Sequence, residues 1–129
     1  MTDWYTSIFP HRLAFGIAFF VILGFVDAIG NPADPKRAKE YLFLLFGAVT
    51  GTVFGVVHDL VTLSISPEYF TMFKGVASEP GELTWAVVWM AIQATYWVGA
   101  VGATILLVAN NPSERYPQLW YRDLALIAM

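Results

Sequence analysis

The sequence predicts an all-α integral membrane protein with three transmembrane helices and a short interfacial helix after the second. Three observations carry that expectation. Apolar residues make up 57% of the 129 residues and charged residues 13%, against roughly 45–50% and about 25% in soluble domains. The apolar residues gather into three runs, each close to or above the roughly 20 residues that a bilayer crossing needs. Aromatic residues reach 16%, with five tryptophans, which suits side chains at the headgroup level. The length fits one membrane domain over residues 1–129. With no cysteine, disulfides, thiolate metal sites and cysteine nucleophiles are excluded. A net charge of −3 and seven scattered Lys and Arg leave no basic patch for nucleic acid.

The first span is "RLAFGIAFFVILGFVDAI", Arg12 to Ile29. A cleaved signal peptide is its rival, since "AIG" at Ala28–Gly30 resembles a small-residue cleavage site; the sparse cations before it and the length of the run favour a retained helix. In "GNPADPKRAKE", two prolines and a glycine stop this helix, and Asp34 with Pro35 are placed to open the next as cap and first residue. The second span is "YLFLLFGAVTGTVFGVVHDLVTL", Tyr41 to Leu63. In "SPEYFTMFKG", Ser66 suits an N-cap, Pro67 the first helical position and Glu68 the positive end of a helix. These residues predict an interfacial helix over 66–74, ended by Lys74 and Gly75. The third span is "TWAVVWMAIQATYWVGAVGATILLVAN", Thr84 to Asn110. Prolines then end it, and "QLWYRDLALIAM" reads as a short amphipathic helix or the start of a fourth span, so the tail 111–129 is cytoplasmic or interfacial. Three spans put Arg12 and Lys74 on one side and Lys36, Arg37, Lys39, Arg115 and Arg122 on the other. That bias places the N-terminus outside and the C-terminus in the cytoplasm.

Four groups of residues are candidates for function. Gly47, Gly51 and Gly55 form two overlapping GxxxG patterns, and Ala91, Thr95, Gly99 and Ala103 form a small-xxx-small ridge in the third span. Small faces of this kind let helices approach closely where no hydrophobic drive exists between them. At about 100° per residue, His58 and Thr62 fall within about 80° of the glycines, so His58 is expected on the same face, within reach of Gln93 or Tyr96. His58, Asp59 and Glu68, with His11 as a candidate fourth member, carry imidazole and carboxylate donors suited to a divalent metal. Their spacing matches no established ligand signature. Asp27, with Gln93, is the candidate ion relay, because an acid in a span is a functional hypothesis by default; it is also placed to pair with Lys36 or Lys39. No phosphate-binding loop or nucleophile elbow is present, and neither histidine is central enough for haem ligation. No cofactor is firmly implied.

"HDLVTLSISPEYFTMFKG" resembles the His/Gln-Asp-x-[VIL]-T…Glu-Tyr-Phe-Thr pattern of a loose group of uncharacterised bacterial integral membrane proteins. The likeness continues through "ATYWVGAVGATILL" and "PQLWYRDL", covering roughly residues 47–124, with His58, Asp59, Thr62, Glu68, Tyr69, Phe70 and Thr71 at the motif positions. The resemblance implies a helical protein of a bacterial membrane and no activity. Members of the group have a fourth span after the "QL-x-x-RDL" segment, so this chain is expected to be a shortened relative or to lay its tail along the membrane. Three function classes are compatible with these residues. The first is a non-catalytic subunit of a membrane complex or homo-oligomer, whose partners are lipid and other transmembrane helices. The second is a small oligomeric transporter or channel using Asp27 and Gln93. The third is a metal-dependent membrane enzyme using His58, Asp59 and Glu68.

Overall fold

A computed structural model describes residues 3–76, 81–111 and 117–129, among which there are helices and turns but no strand. Helix α1 covers Asp3–Gly30, α2 Lys36–Ile65, α3 Leu83–Ala109 and α4 Tyr121–Ala128. Ile8–Gly30, Lys36–Ile65 and Leu83–Ala109 are each long and apolar enough to cross a membrane. The α1 helix starts well before Arg12 and passes through Pro10, whose ring fixes φ near the helical value at the loss of one N–H bond. Arg12 is therefore a polar boundary within a longer helix. Hydroxyls inside the spans bond back to their own helices, Thr52 to the Ala48 carbonyl, Thr95 to Ala91 and Thr104 to Ala100, at 2.7–2.9 Å. Such back-bonding lets a hydroxyl sit in an apolar helix without a foreign partner.

The α2 and α3 helices form the central antiparallel pair. The α1 helix leans on them along one seam, with Phe9, Leu13, Gly16, Phe20, Leu23, Gly24, Asp27 and Ala28 wholly or partly covered. The three-and-four spacing is what a single helix–helix contact line requires. At one end Phe9 sits edge-on to Trp89 and Tyr96, both at 5.6 Å between ring centres. At the other, Gly24 faces Ala38 and Tyr41 at ordinary packing distance and Phe20 meets Tyr41 at 5.5 Å between ring centres. The remaining face of α1, including Phe15, Ile22, Phe25 and Ile29, is exposed.

The start of α2 corrects the expected cap. Pro35 is the N-cap, the helix begins at Lys36, and no side chain of its own segment caps it. Asp34 instead bonds the Lys39 ammonium at 2.9 Å. The capping acceptor comes from α1: Asp27 Oδ2 accepts the Ala38 N–H at 3.0 Å, and its Oδ1 accepts the Asn31 amide at 2.9 Å. Asp27 is thus paired with a helix N-terminus, where a negative charge is favoured, and not with Lys36 or Lys39.

The segment after α2 also differs from expectation. Ser66 ends α2, its N–H bonded to the Thr62 carbonyl, and its hydroxyl contacts Glu68 at 3.4 Å. Its side chain makes no capping bond, although helical backbone resumes at Pro67. The chain then makes a single wide π-helical turn, Tyr69–Phe73, closed by the Lys74 N–H on the Tyr69 carbonyl and the Val76 N–H on the Phe70 carbonyl. Gly75 adopts φ +64° to make that closure, a left-handed conformation that glycine takes without steric penalty. Phe70 is completely buried. The helical stretch Pro67–Phe73 falls within the expected 66–74, but its last five residues widen to π geometry around one buried aromatic.

At the opposite end, α3 stops at Ala109 and Asn110 acts as a bracket. Its Nδ2 donates to the Leu119 carbonyl at 3.0 Å and its Oδ1 accepts the Leu119 N–H at 2.7 Å. Pro112 and Arg115, which bear on the expected end of the third span and on its orientation, lie outside the described residues. The bracket delivers α4, whose Leu124 packs with Phe43 and Ala103 in one buried cluster ringed by Leu44, Phe46, Leu106, Leu107, Tyr121 and Ala125. Replacing Asn110 by Ala is expected to destabilise the docked tail by about 1–3 kcal/mol, since two part-buried hydrogen bonds to Leu119 are lost at about 0.5–1.5 kcal/mol each. Faster amide exchange over residues 119–128, with α2 and α3 unchanged, is the readout.

Burial, then the negative charges of Glu40 and Asp34, raise the Tyr121 phenol above its ordinary pKa. The neutral ring is the form that packs beside Phe43. Its contribution is complete below the ordinary value of about 10 and is lost as pH rises through the elevated folded value. An alkaline titration should therefore release α4, and Tyr121→Phe should remove that step from the Trp fluorescence profile.

Candidate functional site

The glycine ridge of α2 lies directly on the small-residue ridge of α3. A Cβ placed on Gly51 would sit 2.8 Å from the Gly99 Cα and 2.9 Å from the Thr95 carbonyl oxygen. One on Gly47 would reach the Gly99 carbonyl oxygen at 2.7 Å as well as the Ala103 methyl, and one on Gly55 would strike the Thr95 side chain. The two backbones approach so closely because neither ridge carries a bulky side chain there, and dispersion at close packing holds them together. Gly47, Gly51, Gly55, Thr95, Gly99 and Ala103 meet within one chain, so this face is already occupied and does not wait for a partner.

The same seam explains why His58 is not on it. Ridges of residues four apart turn by about 40° per step around the helix. Traced from Gly47 through Gly51 and Gly55, the seam arrives at Asp59. A fixed helical wheel groups His58 with the glycines only because it ignores that drift. The His58 side chain is 63% exposed, stacks on Phe54 with ring centres 6.1 Å apart, and bonds Asp59 Oδ1 through Nδ1 at 3.1 Å. It does not meet Gln93 or Tyr96; the Tyr96 ring lies against Phe9.

Asp59 is the centre of the cluster built at the Ile65 end of α2. Its side chain is 14% exposed, holding His58 on one oxygen and the Lys74 ammonium at 3.8 Å from the other. Lys74 also lies over the Tyr69 and Phe70 rings, 5.2 and 5.3 Å from their centres, where the ring quadrupole attracts a cation. Asp59, Lys74 and the two aromatics together clasp the π-helical turn to the end of α2. Glu68 is turned away to Ser66. The set His58, Asp59 and Glu68 therefore does not converge, and no group of three or more His, Asp or Glu side chains able to hold a metal occurs among the described residues.

Asp27 and Gln93 are likewise kept apart. Asp27 is bound at the start of α2, whereas Gln93 is a half-buried residue of α3 near the level of Thr95 and Gly55, at the far end of the pair. The described residues contain no buried side-chain nitrogen or oxygen without a hydrogen-bond partner, so no polar group is left aimed into an apolar interior. Two structural residues are not recognisable as such from the sequence. Asn110, expected only as the end of a span, holds the tail, and Phe70, expected as an interfacial anchor, is the plug of the turn. The Asn-Asn-Pro break after α3 is a usable signal for the first; nothing local separates Phe70 from its aromatic neighbours.

No protein-family model, curated protein or solved structure matches this chain.

Proposed function

We propose that this chain is a non-catalytic, multi-pass subunit of a bacterial cytoplasmic membrane, working by contact with other transmembrane helices, its own copies or a foreign protein. The observation that carries this reading is the employment of its polar groups. Asp27 caps a helix, Asp59 and Lys74 clasp a turn, and Asn110 brackets the tail. Each of these polar devices at a helix end is used to hold the fold, which favours a structural role over a reactive one. The α1 helix adds support for assembly. None of its most apolar stretch is fully buried within the chain, and a methyl on Gly16 would meet nothing within 4 Å. A helix so lightly packed gains most from a neighbour, because association in lipid depends on packing contacts.

In this reading the N-terminus and the Tyr69–Phe73 turn face outward, the turn lying at the interface. The end carrying Lys36, Arg37, Lys39 and Arg122 faces the cytoplasm. The likeness of "HDLVTLSISPEYFTMFKG" to bacterial membrane proteins supports the bacterial membrane assignment. Transport through Asp27 and Gln93 has less support, since both Asp27 oxygens are engaged and the two residues lie at opposite ends.

The test is the native mass of the assembly extracted from its own membrane in the mildest workable detergent. A mass above the 14.4 kDa of one chain is expected. A whole-number multiple means a homo-oligomer, and any other excess means a foreign subunit. A complex running as a single chain under every mild condition refutes the subunit reading.

A further inference from the structure

We infer that α4 is seated in the headgroup–acyl boundary of the bilayer leaflet on the Lys36–Lys39 side, and does not hang in water. The inference rests on the membrane-spanning reading of α2 and α3 and concerns a surface which that reading leaves unassigned.

Depth is the first argument. The α3 helix ends at Ala109, yet α4 docks through Leu124 against Ala103 and Phe43. Ala103 lies six residues inside the end of α3, about 9 Å along its axis at 1.5 Å per residue. Phe43 lies three residues past Glu40, the last charged residue before the uncharged stretch that runs to His58. Having left the bundle at Asn110, the chain returns to the level where the spans have become purely apolar. Whatever touches the outer side of α4 at that level is what touches the outer sides of α2 and α3.

The lengthwise distribution of side chains is the second argument. The start of α4 is polar: Arg122 is exposed and Asp123 partly exposed on it, and Tyr121 feels the charges of Glu40 and Asp34. Its far half is apolar and equally uncovered, with Leu126, Ile127 and Met129 each more than 60% exposed. Trp120, 81% exposed, stands just before the helix, where an indole in the headgroup layer gains from its apolar ring and its N–H together. A helix with polar residues at the mouth and apolar residues deeper matches the polarity of the boundary itself. Interfacial helices sink about 5–10 Å into that layer, which agrees with docking one to two turns inside the end of α3.

The chain has no cysteine, so single-cysteine variants report one site each. Ile127→Cys, Arg122→Cys and, within α2, Val53→Cys all replace exposed side chains. The full chain is labelled with an environment-sensitive fluorophore and reconstituted into phosphatidylcholine–phosphatidylglycerol vesicles. Quenching by iodide is compared with quenching by nitroxides fixed at shallow or deep positions on the acyl chain. The expected result is a blue-shifted label at 127, quenched most by the shallow nitroxide and protected from iodide. The label at 122 loses its emission to iodide, and the label at 53 responds to the deep nitroxide. A label at 127 quenched by iodide as fully as free dye, with 53 protected, overturns the inference and leaves the spans intact. A label at 127 quenched most by the deep nitroxide also overturns it, in favour of a fourth membrane-inserted segment. Iodide access at 53 instead defeats the membrane-spanning reading, a separate and recognisable failure.

Discussion

Gly99→Ala is expected to separate α2 from α3. The added methyl meets the Gly47 carbonyl and lies 3.0 Å from the Gly51 Cα, so the obstruction is backbone and cannot rotate aside. Inserting a methyl into such a contact costs roughly 1–3 kcal/mol, occasionally more. The better helix propensity of Ala returns only about 0.5–1 kcal/mol, so the net change is destabilising. Gly102, one turn along the same helix, is the internal control, because a methyl there meets nothing within 4 Å. Gly102→Ala should be neutral or slightly stabilising. Reversible unfolding in mixed bicelles, monitored by far-ultraviolet circular dichroism, checks the pair. Equal stability of the two variants would show that the α2–α3 contact is looser than the backbone approach described above. The Gly51→Ala variant should behave like Gly99→Ala, and combining the two should cost less than their sum, since both are relieved by one helix displacement.

Substitutions of Asp27 should rank in the order Asp, Asn, Ala. Asp27→Ala removes the acceptor for the Ala38 N–H and should cost about 0.5–2 kcal/mol, as loss of a capping side chain does. Asp27→Asn keeps an acceptor and forfeits only the attraction of a full charge for the helix N-terminus, about 0.3–1 kcal/mol. Amide exchange at the first turn of α2 is the local readout, and it should accelerate in the same order. An ion relay predicts a different ordering, with Asn and Ala equally inactive in flux and neither affecting that turn. Since Gly24 and Phe20 pack beside the capped turn, Asp27→Ala should also loosen the C-terminal half of α1.

The candidate site is legible in the sequence where its chemistry is repetitive and illegible where it depends on a single placement. The two small-residue ridges can be read because a four-residue repeat of Gly, Ala and Thr has few uses in an apolar helix other than close approach. His58 is misplaced by an ideal wheel, which assigns a residue to a face without knowing the direction in which the contact line travels. Asp27 is recognisable as an acid in need of a partner. That partner is a backbone N–H eleven residues away, which side-chain pairing rules do not search. The Ser66-Pro67-Glu68 sequence does carry a helix-start signal. Helical backbone starts at Pro67, but it widens to π geometry over Tyr69–Phe73 with Phe70 buried and Lys74 on Asp59, contacts that no local propensity shows.

Residue order alone establishes that this chain is built of apolar helices, how many of them are long enough to cross a bilayer, and which ridges could lie closest. Composition and helical periodicity are properties of a segment, and lipid enforces them segment by segment, since each helix must satisfy its own backbone. Which groups meet at the helix ends emerges only from the packing: α1 caps α2, Asp59 holds His58 and Lys74, and α4 turns back to the level of Ala103. Those outcomes depend on the angle and register at which helices cross. A one-turn shift at a helix end exchanges every polar partner while leaving each segment's hydropathy unchanged.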